Sequence, residues 1–145
     1  MKLNKATDYA FRMILHMSTL PYGTKITGTE LAEALHIPDR FLLKIMRNLT
    51  KAKIVQSYRG VDGGFSLGRL PKDISLLDVL EAVEGPTYIQ QCLYDSKSCS
   101  RGCSGACSVQ ESFAAIQSRM VDDMGRVHFD ELAKREKELR RVGAR

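Results

Sequence analysis

The sequence predicts a mainly α protein with one small β-hairpin, a winged helix-turn-helix followed by a long dimerisation helix. Three observations predict it. Two amphipathic helices stand in tandem over residues 27–51, and a glycine-rich turn between two β-prone runs follows them directly. Further on, a long helix with a continuous apolar stripe follows a loop that carries every cysteine.

Composition sets the frame. The chain has 145 residues, 43% hydrophobic and 27% charged, which fits one ordinary soluble domain or a small domain with an appended dimerisation arm. No apolar run approaches the ~18 residues of a membrane span. Met1-Lys2-Leu3-Asn4-Lys5 lacks the apolar stretch of a signal peptide, so the cytosol is the expected location and no membrane partner is expected. In a reducing cytosol, cysteines serve as ligands or redox groups more often than as staples. The net charge of +5 is uneven, with +7 in residues 1–72 and −2 in residues 73–145. A basic amino-terminal half points to a polyanion.

Residues 6–20 form the first helix, with Tyr9, Met13, Met17 and Leu20 on one stripe and Pro21 and Gly23 ending it. That stripe is core packing. Thr27-Gly28-Thr29-Glu30 is a capping box, and the helix it opens turns Leu31, Ala32 and Leu35 inward. After a short turn at His36-Ile37, Pro38 suits the first residue of the next helix.

That helix has two faces. Leu42, Ile45, Met46 and Leu49 make the apolar side, while Arg40, Lys44, Arg47 and Lys51 recur along the other. Like charges in one row repel, by a few tenths of a kcal/mol per i, i+4 pair, and only Asp39 interrupts them. A phosphate-facing helix needs that row, because each neutralised phosphate releases counterions.

Ile54 to Tyr58 and Phe65 to Leu67 have β character, with Arg59-Gly60-Val61-Asp62-Gly63-Gly64 between them. No Gly-Lys-Ser/Thr follows, so this turn is no nucleotide loop. A basic hairpin after a helix-turn-helix is a wing, with Arg59 placed for the minor groove or the backbone. Ser75 to Val83 is a further helix, with Ser75 and Asp78 in capping-box register and Gly85-Pro86 closing it. Residues 87–107 show no periodicity. From Ser108, Phe113, Ile116, Met120 and Met124 keep one stripe, which suggests a dimer interface or packing back on the chain's own domain. Gly125 is expected to break that helix, and Phe129 to Arg141 reads as a helical but highly charged tail, prone to fray. The resulting division is a DNA-binding domain over 1–85, a cysteine-rich loop over 86–107, and a dimerisation helix with its tail over 108–145.

Cys92, Cys99, Cys103 and Cys107 fall within sixteen residues, in a loop bearing Gly102, Gly105 and several serines. Such a loop cannot order itself by apolar contacts, and thiolates gathered by it suit an iron–sulfur cluster. Zinc ranks second, because its sites favour paired short-spaced arms. A thiol–disulfide switch ranks third, with Lys97 and Arg101 as nearby positive charge. No Ser/His/Asp or Cys/His constellation emerges around His16, His36 or His128, so neither enzyme activity nor a small-molecule substrate is expected.

Over about residues 1–130 the chain resembles the bacterial winged-helix regulators of the IscR and NsrR type, a family of iron–sulfur, nitric-oxide and cysteine-responsive repressors. The resemblance is carried by Thr7-Asp8-Tyr9-Ala10, by Leu31 to Leu49, by Tyr58-Arg59-Gly60 with Gly63 to Leu67, and by Ile74 to Gly85. It implies a homodimer on a pseudo-palindromic operator of double-stranded DNA. It also implies a 2Fe–2S or 4Fe–4S cluster on three loop cysteines and a fourth ligand. In the nitric-oxide-sensing members that ligand is an aspartate of the partner chain's first helix, matched here by Asp8. In the IscR members it is a histidine, replaced here by Gln110. Cys92 and Cys107 match the outer ligands, and either Cys99 or Cys103 is the middle one, unless all four bind. Leu43 departs from the polar residue that some relatives carry at an exposed reading position.

The expected function is therefore a cluster-controlled DNA-binding repressor, with Arg40, Lys44, Arg47, Lys51 and Arg59 on DNA. One alternative keeps DNA binding but uses a thiol–disulfide switch or a protein partner from cysteine metabolism. The other is an iron–sulfur or zinc carrier with a basic docking half.

Overall fold

A computed structural model describes residues 2–102 and 105–144 of the chain. Helix α1 spans Lys5–Thr19, opened by Asn4, whose side chain accepts the Thr7 N–H at 2.9 Å. Its buried face carries Ala10, Met13, Ile14 and Met17, and the buried Thr7 hydroxyl donates to the Glu84 carboxylate. Helix α2 spans Gly28–Leu35. Both halves of its capping box form, with Glu30 N–H on Thr27 Oγ1 and Thr27 N–H on the Glu30 carboxylate. The Thr27 N–H, donating to the carboxylate, favours its ionised form and holds the Glu30 carboxyl below its usual pKa.

Helix α3 spans Asp39–Lys51. Pro38 is its cap and not its first residue, because its ψ of 134° is extended, while its carbonyl already accepts the N–H groups of Phe41 and Leu42. Leu42, Ile45, Met46 and Leu49 are all buried, as the sequence requires of them. Each side chain so enclosed contributes about 1.5–3 kcal/mol.

Strands β1 (Val55–Tyr58) and β2 (Gly64–Leu67) pair antiparallel, with Tyr58 opposite Gly64. A third edge joins them from before α2: Ile26 exchanges backbone hydrogen bonds with Phe65 at 2.9 and 2.8 Å. Gly64 makes that approach possible, since a Cβ there would stand 2.8 Å from the Ile26 carbonyl oxygen.

A 3-10 turn at Pro71–Asp73 leads to α4 (Leu76–Glu84), which carries the expected Ser75/Asp78 capping box. The cysteine segment is not structureless. It contains a helical turn, α5 (Gln91–Tyr94), and a 3-10 turn at Ser96–Ser98. Helix α6 then runs over Ser108–Arg126, with Gly125 inside its last turn and not breaking it.

The charged tail does not fray. It forms α7 (Phe129–Gly143) and packs along α1. Phe129 is 1% exposed and lies in the same apolar cluster as Met13, Leu49 and Ile74. The chain is clipped in place there, with Leu76 N–H on the Val127 carbonyl and Phe129 N–H on the Ile74 carbonyl, both at 3.0 Å. The tail's charges face outward while Phe129 and Ala133 face in, so one aromatic anchor outweighs the polar majority. Among the described residues, no helix is long and apolar enough to cross a membrane.

Candidate nucleic-acid interface and cysteine loop

Burying the apolar side of α3 turns its other side to solvent, so Arg40, Lys44, Arg47 and Lys51 are all exposed. The wing lies against the later half of that face. Between them is a groove of about 510 Å³, whose lining includes Leu43, Arg47, Thr50, Lys51, Ser57 and Arg59. Three of the five expected DNA-facing cations are thus brought together from two elements. Lys44 stands exposed on the same helix, and the Arg40 guanidinium lies over the Phe41 ring, 5.2 Å from its centre. Among the described residues none of the five pairs with a carboxylate, which leaves their charge for an external anion.

Leu43 is 55% exposed and borders both this groove and a second cavity of about 350 Å³ beside Thr27, Asp39 and Tyr58. An aliphatic side chain there can contact a thymine methyl but cannot hydrogen-bond a base edge. One contributor escaped the sequence reading. Lys25 donates to the wing-tip carbonyl of Asp62, and no local pattern links residues so far apart.

In the cysteine loop, Cys92 sits on α5, Cys99 follows the 3-10 turn, and Cys107 caps α6; all three are half-buried. Cys103 lies outside the described residues. The loop is strapped to α6 by two glutamines seven positions apart on one face. Gln110 Nε2 donates to the Cys92 carbonyl at 3.1 Å, and its Oε1 accepts the Gly105 N–H at 3.3 Å. Gln117 Oε1 accepts the Ile89 N–H at 2.9 Å. The residue that excludes a histidine ligand therefore has a structural task. A cavity of about 500 Å³ opens beside Cys107 and Gln110.

The donor set suits a cluster in its chemistry, with Cys92 and Cys107 at the two ends of a polar loop and, among the described residues, Cys99 between them. Among the described residues, however, no three Cys, His, Asp or Glu side chains are gathered for a metal ion. Asp8 is held on its own helix by Arg12 at 2.7 Å and Lys5 at 3.8 Å. Helix α6 packs along α4 yet has no buried residue; Phe113, Met120 and Met124 are half-buried, and Ile116 is 43% exposed.

A capped helix pair, a basic exposed helix and a three-edged wing define a winged helix-turn-helix protein. The family model for Rrf2, described as iron-dependent transcriptional regulator, matches residues 3–135, and the chain belongs to that family. Its members are regulators of transcription and not enzymes. Rv1287 of Mycobacterium tuberculosis, named as an HTH-type transcriptional regulator, is 37% identical over 86 residues, covering 59% of this chain and 53% of that protein. The match thus spans about half the length of that relative. Among solved structures, CymR (YrzC), described as the global cysteine regulator of B. subtilis, superposes with a TM-score of 0.73 at 20% identity, covering 92% of this chain and 97% of that one. T. potens IscR does so with a TM-score of 0.71 at 20% identity, covering 95% and 90%. At such identity these two structures establish the shared fold alone.

Proposed function

We propose that the chain is a cytosolic, homodimeric, DNA-binding repressor whose operator affinity is set by an iron–sulfur cluster on residues 92–107. The observation that carries the DNA reading is the groove in which Arg47 and Lys51 of α3 meet Arg59 of the wing, with Leu43 in its lining. Such a groove places cations on a phosphate backbone while a helix enters the major groove. Arg40 and Lys44 extend the contact along α3. A two-fold dimer requires a pseudo-palindromic duplex, each protomer taking one half-site. The half-buried and exposed apolar stripe of α6 is the surface for that dimer, so residues 1–85, 86–107 and 108–145 act as reader, sensor and coupling arm. The docked α7 ties the arm back to the reader.

Cys92 and Cys107 hold the two ends of the sensor, with Cys99 and Cys103 between them. A bound cluster would supply a centre that responds to redox state, nitric oxide or iron supply. Gln110 and Gln117 keep the loop against α6, so a rearrangement at the cysteines moves the dimer arm. Arg12 and Lys5 both pair with Asp8 Oδ2 and would compete with a partner's cluster for the charge of that carboxylate, which favours ligation by cysteines alone. A second reading, a cluster-free thiol switch, draws support from the described thiols, which are not gathered, and from the fold shared with a cysteine regulator. Zinc in the loop, or a carrier role, draws no such support.

Iron and acid-labile sulfide, measured on protein purified without oxygen, test the cofactor. About two of each per chain are expected for a 2Fe–2S cluster and about four for a 4Fe–4S cluster. Asp8→Ala is expected to leave the visible spectrum unchanged. Protein that contains neither element yet binds DNA would overturn the cluster and leave the thiol switch or a zinc site.

A further inference from the structure

Lys25 precedes α2, outside every element the sequence ties to DNA, yet its ammonium reaches the wing. It donates to the Asp62 carbonyl oxygen at 3.0 Å and stands 4.8 Å from the centre of the Tyr58 ring. It is rooted there, because the next residue, Ile26, is bonded through its backbone to Phe65 of β2. The Tyr58 ring is fixed in turn, its hydroxyl 3.2 Å from Ser66 Oγ on the facing strand. The wing tip has few other holds. Val61 is fully exposed, Gly60 has a φ of +94° with open space around it, and one backbone bond, Gly63 N–H to the Gly60 carbonyl, closes the turn.

We propose that Lys25 is the latch of the wing, a positioning residue that pins residues 59–63 so that Arg59 faces the groove beside Arg47 and Lys51. The proposal rests on the reading of that groove as the DNA interface. An unpinned glycine-rich tip would sample many conformations and lose them on binding, so a latch present in the unbound protein reduces the ordering cost that DNA binding must meet. The ammonium suits this task in two ways. It satisfies a tip carbonyl by a charge-assisted hydrogen bond, and it rests on an aromatic face already fixed by the sheet.

Two measurements test the latch. In the DNA-free protein, amide hydrogen exchange across residues 59–63 should quicken about threefold or more in Lys25→Met and return in Lys25→Arg, which keeps the cation. Unchanged exchange would overturn the latch whatever the DNA data show. The second is a double-mutant cycle of Lys25→Met and Arg59→Ala, read by fluorescence anisotropy on duplexes that the wild-type protein has enriched from a random pool. Lys25→Met should weaken binding about threefold to tenfold in the wild-type background and have almost no effect in Arg59→Ala, because it acts through Arg59. Additive losses would overturn positioning and make Lys25 a phosphate contact of its own. An Arg59→Ala loss without a Lys25→Met loss would overturn the latch but keep the interface. Failure to enrich any duplex would overturn the interface itself, and the latch's role in binding with it.

Discussion

Gln110 Nε2 donates to the Cys92 carbonyl oxygen at 3.1 Å while Gln110 Oε1 accepts from Gly105, so one side-chain amide on α6 grips both arms of the cysteine loop. Each such bond contributes about 1 kcal/mol, enough to suppress local opening roughly fivefold. Gln110→Ala removes the bond to the Cys92 arm as well as that to Gly105, and should therefore raise the rate at which iodoacetamide alkylates Cys92 in the metal-free protein by about fivefold or more. Peptide mass spectrometry reads the rate site by site, and an unchanged Cys92 rate would show that the strap does not hold the loop.

Helix α6 leaves an apolar stripe only partly covered, and Ile116 is its most exposed large member after Val109. A carboxylate at that position would be desolvated in a two-fold interface. Ile116→Glu should shift the dimer dissociation constant by about thirtyfold or more. Sedimentation equilibrium should then find monomer at concentrations where the proposed wild-type dimer forms. A variant that remains fully dimeric would place the interface elsewhere.

Much of this fold was legible in the sequence, because the helix-turn-helix announces itself locally. Both capping boxes lie within four consecutive residues, and Leu42, Ile45, Met46 and Leu49 bury as their spacing requires. What escaped depends on distant chain. The docking of α7 turns on Phe129 finding a slot among Met13, Leu49 and Ile74, which no pattern within the tail encodes. The helical turn at Gln91–Tyr94 is too short for a helical period to repeat within it. In the candidate site, the row from Arg40 to Lys51 was legible as one face of one helix. The meeting of Arg47 and Lys51 with Arg59, and the reach of Lys25 to Asp62, are tertiary facts.

His16, half-buried on α1 and facing α7, titrates below its usual value of 6.5, chiefly because burial disfavours the imidazolium and also because Arg140 repels it. The folded state thus binds the proton less readily than the unfolded chain. Its contribution to stability is complete above the unfolded value and is lost as pH falls through the lower folded value. Urea unfolding midpoints should drop between about pH 7.5 and about pH 5, and the drop should shrink in His16→Gln. An identical pH dependence in the variant would contradict this assignment.

Control of DNA affinity by the cysteine loop is tested most directly by one titration. Anaerobically purified protein and the same protein stripped of metal and kept reduced would each be titrated against an enriched duplex, at one fixed salt concentration, with anisotropy as the readout. The expected result is a difference of about tenfold or more in dissociation constant between the two states, with Arg47→Ala weakening both. Equal affinity of the loaded and stripped forms would contradict the loop as the controlling element.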